Sequence, residues 1–234
     1  MKLIAHRGAP LMRVENSLEA LFCGAATGAD LVECDVTRLK DGSYVIYHDN
    51  TLLRRAGVDI PVTEVTYSEM EGYLKRCGYC LTSFSYVLEN YTAQTPILLH
   101  IKMDHLEQDF VEMICATKVP FVFGAISLDV VNELSRHFPP ERILAFMPHK
   151  KDYEEFHRAG AGNIRLWEHW LGEVTPSDVK AACPNANVWI MARDENKSNR
   201  GSIETLNKCV EIGADGILMD DIALAVQWKQ EQSV

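Results

Sequence analysis

Strand and helix signals alternate along nearly the whole chain, and this alternation constrains the fold more than any other feature. Short apolar segments with strand character recur eight times, and segments with helical spacing separate them. The predicted strands are residues 2–5, 31–37, 97–102, 121–124, 143–147, 163–166, 188–191 and 216–219. Eight strand–helix units in succession predict an α/β protein with a closed (β/α)8 TIM barrel.

A doubly wound open sheet is the competing architecture, but the first strand is not followed by the glycine-rich turn of a dinucleotide-binding fold. The length of 234 residues suits one barrel, and we therefore expect a single domain over residues 1–234. Residues 50–80 hold Pro61, several glycines and three tyrosines. They are predicted to form an excursion of about 30 residues after the second barrel strand, without a clear regular element.

Charge and hydropathy exclude some classes of function. The net charge of −10 argues against a nucleic-acid partner. An apolar run of the roughly 18 residues needed for a membrane span is missing, as is a secretory leader, so we expect a cytoplasmic protein. The odd number of cysteines, seven, fits a reducing compartment, and Cys77 and Cys80 are interpreted as unrelated thiols rather than a zinc or redox pair. The oligomeric state is not predicted.

The triplet His6-Arg7-Gly8 follows the first strand directly, where the chain must turn away from the sheet. A histidine moves protons near neutral pH, and the planar fork of an arginine fits a phosphate oxyanion. Working residues of a TIM barrel gather at such strand ends. The triplet is therefore a candidate for phosphate chemistry, although it also occurs in ordinary surface turns.

Two further strands place polar residues at the same end of the barrel. Glu33 and Asp35 share one face of strand two, and converging carboxylates favour a cation such as Mg²⁺, Ca²⁺ or Mn²⁺. A solvated acidic pair is the alternative, which the apolar flanking residues disfavour. His100 and Lys102 share one face of strand three. Together these four side chains are predicted to form a site for a phosphorylated ligand.

His48 closes the extended segment after the second strand and supplies a second histidine. Two histidines near one phosphodiester provide the pair that acid–base cleavage needs. One takes a proton from the nucleophile, and the other protonates the leaving oxygen.

At this point the chain resembles the glycerophosphodiester phosphodiesterase family over essentially its whole length. The resemblance is carried by Ala5-His6-Arg7-Gly8, Glu15-Asn16-Ser17, Gly28-Ala29-Asp30 with Glu33 and Asp35, Lys40-Asp41-Gly42, His48-Asp49 with Thr51, Leu52 and Arg54, Ile101-Lys102, and Gly213-Ala214-Asp215-Gly216-Ile217 with Asp220. It implies a TIM barrel in lipid metabolism and metal-dependent cleavage of glycerophosphodiesters to an alcohol and sn-glycerol 3-phosphate.

The same resemblance implies roles for individual residues and for a cofactor. The implied roles are catalysis by His6 and His48, phosphate binding by Arg7 and Lys102, and metal ligation by Glu33 and Asp35. The implied cofactor is a divalent ion, Mg²⁺ or Ca²⁺. The implied partner is a small glycerophosphodiester, and the sequence does not distinguish attack by water from attack by the substrate's own glycerol hydroxyl.

The third strand departs from the family pattern, because His100 stands where the family usually has a metal-ligating glutamate. A neutral imidazole removes one negative charge and favours Mn²⁺, Co²⁺, Ni²⁺ or Zn²⁺. One hypothesis makes His100 a ligand in a site of altered metal preference. The other makes it only a hydrogen-bonding residue beside a weak or lost metal site.

Two late features bear on the substrate. Ala192 replaces a polar family residue, and Trp167 and Trp170 either line the mouth of the barrel or pack a loop onto it. Two other functions therefore stay open. The chain acts on another phosphodiester or a lysophospholipid, or it is a non-catalytic barrel that binds a phosphorylated ligand.

Overall fold

The computed structural model describes residues 1–232. This part of the chain contains ten strands. They are β1 (Lys2–Ala5), β2 (Leu31–Arg38), β3 (Tyr44–Ile46), β4 (Thr82–Ser83), β5 (Ile97–Ile101), β6 (Phe121–Ala125), β7 (Ile143–Ala145), β8 (Asn163–Trp167), β9 (Asn187–Met191) and β10 (Gly216–Met219).

Eight of these strands form a closed parallel barrel. The sheet runs from β1 through β10, β9, β8, β7, β6 and β5 to β2, and β1 also pairs with β2, which closes the ring. The short strands β3 and β4 extend the sheet from β2 as antiparallel neighbours. The predicted TIM barrel is confirmed.

Ten α-helices accompany the strands within residues 1–232. They are α1 (Leu18–Thr27), α2 (Leu53–Ala56), α3 (Tyr67–Arg76), α4 (Phe84–Asn90), α5 (Gln108–Ala116), α6 (Leu128–Ser135), α7 (Tyr153–Ala159), α8 (Pro176–Ala182), α9 (Ile203–Glu211) and α10 (Ile222–Glu231). Short 3₁₀ turns occupy Val62–Glu64, Pro140–Arg142 and Glu168–Trp170.

The excursion after β2 is more regular than predicted. The expectation that residues 50–80 lack a clear element is wrong for α3, which starts at a complete capping box between Thr66 and Glu69. Met70 and Leu74, one turn apart, are buried in a separate apolar cluster beneath the excursion. The Thr-x-x-Glu spacing was a readable helix start, but Gly72 and the polar composition of the segment weakened the helical pattern.

Strand alternation sorts the core into an inner and an outer set. Val32, Cys34 and Val36 pack with the helices in the large outer cluster. Leu31 and Leu98 belong to the small cluster inside the barrel. Side chains two and four positions further along β2 therefore point inward above this apolar plug, toward the carboxyl end of the barrel.

Among residues 1–232, no helix has both the length and the apolar composition to cross a bilayer.

Candidate active site

A cavity of about 560 Å³ opens at the carboxyl end of the barrel. All seven predicted site residues line it, although they come from four separate parts of the chain. They are His6, Arg7, Glu33, Asp35, His48, His100 and Lys102. The barrel therefore brings together the seven side chains that were predicted to form the site, as expected for strand ends of this fold.

Strand register explains why Asp35 and His100 meet. The two residues are direct partners between β2 and β5, and the His100 Nδ1 lies 2.9 Å from the Asp35 Oδ1. Asn16 fixes the other side of the carboxylate, because its Nδ2 donates to Asp35 Oδ2 at 3.0 Å and its Oδ1 accepts from the Asp35 backbone N–H at 3.0 Å. The next residue, Ser17, caps α1 by accepting from Ala20 N.

Glu33 is held by an unusual backbone turn. Arg7 adopts a φ of +52° and Gly8 a φ of +85°, both in the left-handed region. This turn aims the Arg7 backbone N–H at Glu33 Oε2, at a distance of 2.7 Å. A side chain at Gly8 would approach the backbone carbon of Ala20 to 2.5 Å, so the position requires glycine. The strained turn after β1 therefore orients a buried carboxylate on β2.

Burial sets the protonation of this cluster. Burial and the neighbouring Asp35 carboxylate raise the pKa of Glu33 well above its ordinary value. Burial also opposes the charge of Asp35, but the hydrogen bond from His100 and the positive charge of Lys102 help to outweigh it, and the pKa of Asp35 is lowered. Burial lowers the pKa of His100 to about 4, against the influence of Asp35. At neutral pH, Asp35 is therefore a carboxylate and His100 a neutral imidazole that donates through Nδ1.

The cluster of Glu33, Asp35 and His100 has the chemistry of a divalent-metal site. Each residue offers one ligand atom, and these atoms all lie within 4.8 Å of one another. Glu33 Oε1 and His100 Nε2 are buried and have no hydrogen-bond partner within residues 1–232. Unpartnered buried polar atoms are costly. A cation would satisfy both, so the three residues fit the implied ion.

His6 is oriented by a carboxylate that the sequence analysis did not assign to the site. The Asp220 Oδ1 lies 2.6 Å from the His6 Nδ1, and the His6 side chain is only 6% exposed. Because a carboxylate only accepts, Nδ1 carries the hydrogen and the neutral ring keeps its lone pair on Nε2. Burial lowers the pKa of His6, while the hydrogen bond that His6 donates to Asp220 acts in the opposite direction.

His48, like His6, is oriented by a carboxylate. The Asp49 Oδ1 lies 2.7 Å from the His48 Nδ1, and Arg54 Nε donates to Asp49 Oδ2 at 2.6 Å. Arg54 also pairs with Glu15, which accepts from Arg7 Nη1 at 3.2 Å. The guanidinium groups around Glu15 lower its pKa to about 2, despite its burial. These motif residues therefore form one ion-pair network behind the second histidine.

Other residues at the site had no role assigned from the sequence, and they differ in how far the sequence could have identified them. Asp49 and Asp220 both belong to the family motifs. Each follows an extended segment and lies next to a histidine in the fold, so its orienting contact could have been inferred. Arg165 lines the cavity and is 4% exposed, but it lies in an apolar strand without a recognised motif. Trp167 also lines the cavity, whereas Trp170 packs mainly against the outer core. Of the two alternatives for these tryptophans, lining the mouth therefore holds for Trp167, while Trp170 packs against the core and also lies 5.3 Å from the Arg165 guanidinium.

With this geometry described, comparison with known proteins identifies the family. Residues 6–126, slightly more than half of the chain, match the glycerophosphoryl diester phosphodiesterase family. The chain belongs to this family. The match begins at the catalytic-histidine candidate His6 and extends past Lys102, so it contains all seven predicted site residues.

Curated relatives of this family member match over limited lengths. A lysophospholipase D, GDPD1, of Rattus norvegicus is 29% identical over 146 residues, covering 56% of this chain and 46% of the relative. A lysophospholipase D, GDPD3, of Mus musculus is 37% identical over 73 residues, covering 31% of this chain and 22% of the relative. The chain thus spans between about a fifth and a half of the length of these two relatives.

A solved structure matches the family member over its whole fold. A phosphodiesterase from Oleispira antarctica, in complex with the product sn-glycerol 3-phosphate, superposes with a TM-score of 0.74. The comparison covers 100% of this chain and 97% of that protein, at 19% identity. At this identity, the likeness supports the shared barrel.

Proposed function

We propose that this chain hydrolyses glycerophosphodiesters to an alcohol and sn-glycerol 3-phosphate, in a metal-dependent reaction with His6 and His48 as the acid–base pair. One observation carries the proposal. Two imidazoles, each held through Nδ1 by a carboxylate, face the same cavity as the Glu33, Asp35 and His100 cluster. Simple binding of a phosphorylated ligand would not require two imidazoles that are each oriented by a carboxylate.

The chemistry follows from the free nitrogen of each ring. In the reaction, an oxygen nucleophile attacks phosphorus and loses a proton, while the ester bond to the alcohol breaks and its oxygen gains a proton. One of the two histidines accepts the proton of the nucleophile at its free Nε2, and the other, in its protonated form, donates a proton from Nε2 to the leaving oxygen. Asp220 and Asp49 each stabilise the imidazolium that forms, because both accept from Nδ1.

Two basic side chains next to the metal-ligand cluster are available to bind the substrate phosphate. Arg7 and Lys102 line the cavity next to Glu33 and Asp35. Arg7 is already paired with Glu15, but its Nε is buried and without a hydrogen-bond partner in the described part of the chain. This nitrogen can therefore donate to a phosphate oxygen. Lys102 contributes a point charge of the same sign.

Glu33, Asp35 and His100 would hold the divalent ion. When bound, such an ion neutralises negative charge on the phosphate and on the attacking oxygen. It would also reverse the penalty that burial and Asp35 impose on the charged form of Glu33.

Phosphorus NMR tests this proposal directly. The enzyme, freed of metal and reloaded with Mg²⁺, Ca²⁺, Mn²⁺, Co²⁺, Ni²⁺ or Zn²⁺ in turn, is incubated with glycerophosphoethanolamine or glycerophosphocholine. Conversion of the diester signal to sn-glycerol 3-phosphate, lost in His6→Ala and in His48→Ala, is the expected result. Binding of sn-glycerol 3-phosphate without turnover at high enzyme concentration would instead favour a non-catalytic barrel.

A lysophospholipid substrate is the second candidate. The curated relatives include proteins named lysophospholipase D. In addition, Leu11, Val14 and Leu53 are at least half exposed, and the first two lie between the motif residues Arg7 and Glu15. Apolar side chains at a rim suit an acyl chain. Faster turnover of lysophosphatidylcholine than of glycerophosphocholine, reduced in Leu11→Ser, would favour this candidate.

A further inference from the structure

Arg165 is the most deeply buried basic side chain of the cavity wall. It lies on β8, and its neighbours Ile164 and Leu166 pack outward against the helices, so Arg165 points into the barrel. The residue is 4% exposed and lines the same cavity as His6 and His48. A cation in this position needs a partner, because burial removes its hydration.

That partner is missing from the described chain. Within residues 1–232, Arg165 Nε and Nη1 have no hydrogen-bond partner, and no carboxylate pairs with the guanidinium. Its one hydrogen bond within residues 1–232 is a long one, from Nη2 to the carbonyl oxygen of Met147 at 3.5 Å. Burial lowers the pKa of Arg165 to about 9, so the group still carries its charge at neutral pH.

Aromatic rings hold this guanidinium in line with the proposed metal cluster. The His100 ring stacks on Phe146 at 4.0 Å, and the Arg165 guanidinium lies 5.1 Å from the Phe146 ring. On the other side, Trp167 lies 4.5 Å from Arg165 and 4.9 Å from the guanidinium of Arg193. The Phe146 ring therefore contacts both the Arg165 guanidinium and the His100 imidazole.

The candidate metal site and the pair of Arg165 and Arg193 lie on opposite walls of the cavity. The acids Glu33, Asp35 and Asp104 come from β2 and from the segment after β5, which are adjacent strands. Arg165 and Arg193 come from β8 and from the end of β9, on the opposite side of the ring. A ligand that spans the mouth therefore meets the candidate metal site and its phosphate-binding candidates, Arg7 and Lys102, at one end and two further guanidinium groups at the other.

This wall excludes one ligand chemistry and favours another. Aromatic cages commonly bind quaternary ammonium groups. Here the Arg165 guanidinium already lies against the rings of Phe146, Trp167 and Trp170, and the Arg193 guanidinium lies 4.9 Å from the Trp167 ring. A choline group would meet two like charges at this wall, whereas an anion would pair with both.

We propose that Arg165, with Arg193, binds an anionic group on the alcohol half of the substrate, which makes the enzyme selective for glycerophosphodiesters of phosphorylated or carboxylated alcohols. The diester phosphate is assigned to Arg7, Lys102 and the metal cluster, and glycerol itself has no charge, so a second anion must belong to the alcohol half. This inference rests on the proposed phosphodiesterase function.

A matched substrate pair tests the assignment. Glycerophosphoinositol and glycerophosphoinositol 4-phosphate differ by one phosphate on the alcohol, and glycerophosphocholine adds the cationic case. Loss of the diester phosphorus signal gives kcat/KM for each. The wild type is expected to rank the phosphorylated inositol first and choline last. A wild-type preference for choline, or equal values within the inositol pair, would overturn the proposal without any variant.

Substitution of Arg165 then tests whether this residue is the source of the substrate selectivity. Arg165→Met keeps much of the side-chain volume and removes the charge, and it is expected to lower the ratio of kcat/KM within the inositol pair by about 10- to 100-fold. Arg136→Met, at an exposed site outside the barrel, is expected to leave the ratio unchanged. A merely structural Arg165 would change both substrates by the same factor, and that result contradicts the proposal.

Calorimetric binding separates this inference from the proposed function. If the wild type hydrolyses none of the three diesters, both inositol diesters are titrated into the protein without turnover. Tighter binding of the phosphorylated diester, lost in Arg165→Met, would support the anion subsite although the proposed hydrolysis failed. Turnover of all three diesters without selectivity would keep the hydrolysis and refute the subsite.

Discussion

The contact between Asp220 and His6 offers a sharp test of the acid–base assignment, through the substitution Asp220→Asn. The two side chains are 2.6 Å apart, and the His6 side chain is only 6% exposed, so solvent cannot replace the carboxylate. A hydrogen bond to a charged group contributes about 1.5–3 kcal/mol. Since 1.36 kcal/mol corresponds to a factor of ten, losing this stabilisation of the imidazolium lowers kcat by about 10- to 150-fold.

The pH dependence of kcat/KM in Asp220→Asn also tests the direction in which Asp220 shifts the pKa of His6. Burial lowers the pKa of His6, and Asp220 raises it, so Asp220→Asn is expected to lower this pKa further. If His6 works as the base, the acidic limb of kcat/KM moves to lower pH. If it works as the acid, the alkaline limb moves to lower pH. The assay is kcat/KM for a glycerophosphodiester between about pH 4 and 10.

Asp221→Asn provides the matched control, because Asp221 caps α10 and asparagine is an equally good cap. Thermal denaturation should show both variants folded, and only Asp220→Asn should lose activity. An Asp220→Asn enzyme with full activity and an unshifted profile would refute the role given to His6.

The remaining predictions concern the second histidine, the metal site and the first turn. Asp49→Asn is expected to lower kcat less than Asp220→Asn, because the His48 side chain is 31% exposed and water can replace part of the contact; an equal or larger loss would contradict this ranking. His100→Glu should shift the preferred metal from Mn²⁺, Co²⁺, Ni²⁺ or Zn²⁺ toward Mg²⁺ in the phosphorus NMR assay. A wild type inactive with every metal beside an active His100→Glu would instead support the hydrogen-bonding role. Gly8→Ala should lower the free energy of unfolding by about 1–3 kcal/mol in urea, because φ is +85° and the new Cβ meets Ala20; an unchanged midpoint would contradict it.

The barrel was predictable because each strand carries a clear apolar pattern, and some of the neighbouring helices end at a glycine. Gly28 illustrates this, since it ends α1 in the left-handed conformation that the sequence position indicates. The helix α3 was missed because its stability comes from a small cluster under the excursion, including Met70 and Leu74, and little from its own pattern.

The candidate site was predictable only in part. Alternation along β2 correctly placed Glu33 and Asp35 inside the barrel, because strand parity needs no tertiary information. Arg165 follows the same parity on β8, but a single arginine in an apolar strand has no local signal of function. The role inferred for Arg165 depends on its contacts with the rings of Phe146 and Trp167, which only the closed barrel brings together.

The metal content of the active enzyme tests the central claim most directly. The protein is stripped with a chelator, titrated with Mn²⁺ in a calorimeter, and assayed by phosphorus NMR at each point. We expect one ion per chain and sn-glycerol 3-phosphate production that rises in proportion to occupancy, with both lost in Glu33→Gln. Full turnover in the presence of chelator, or tight binding of an ion that Glu33→Gln leaves unchanged, would contradict the claim.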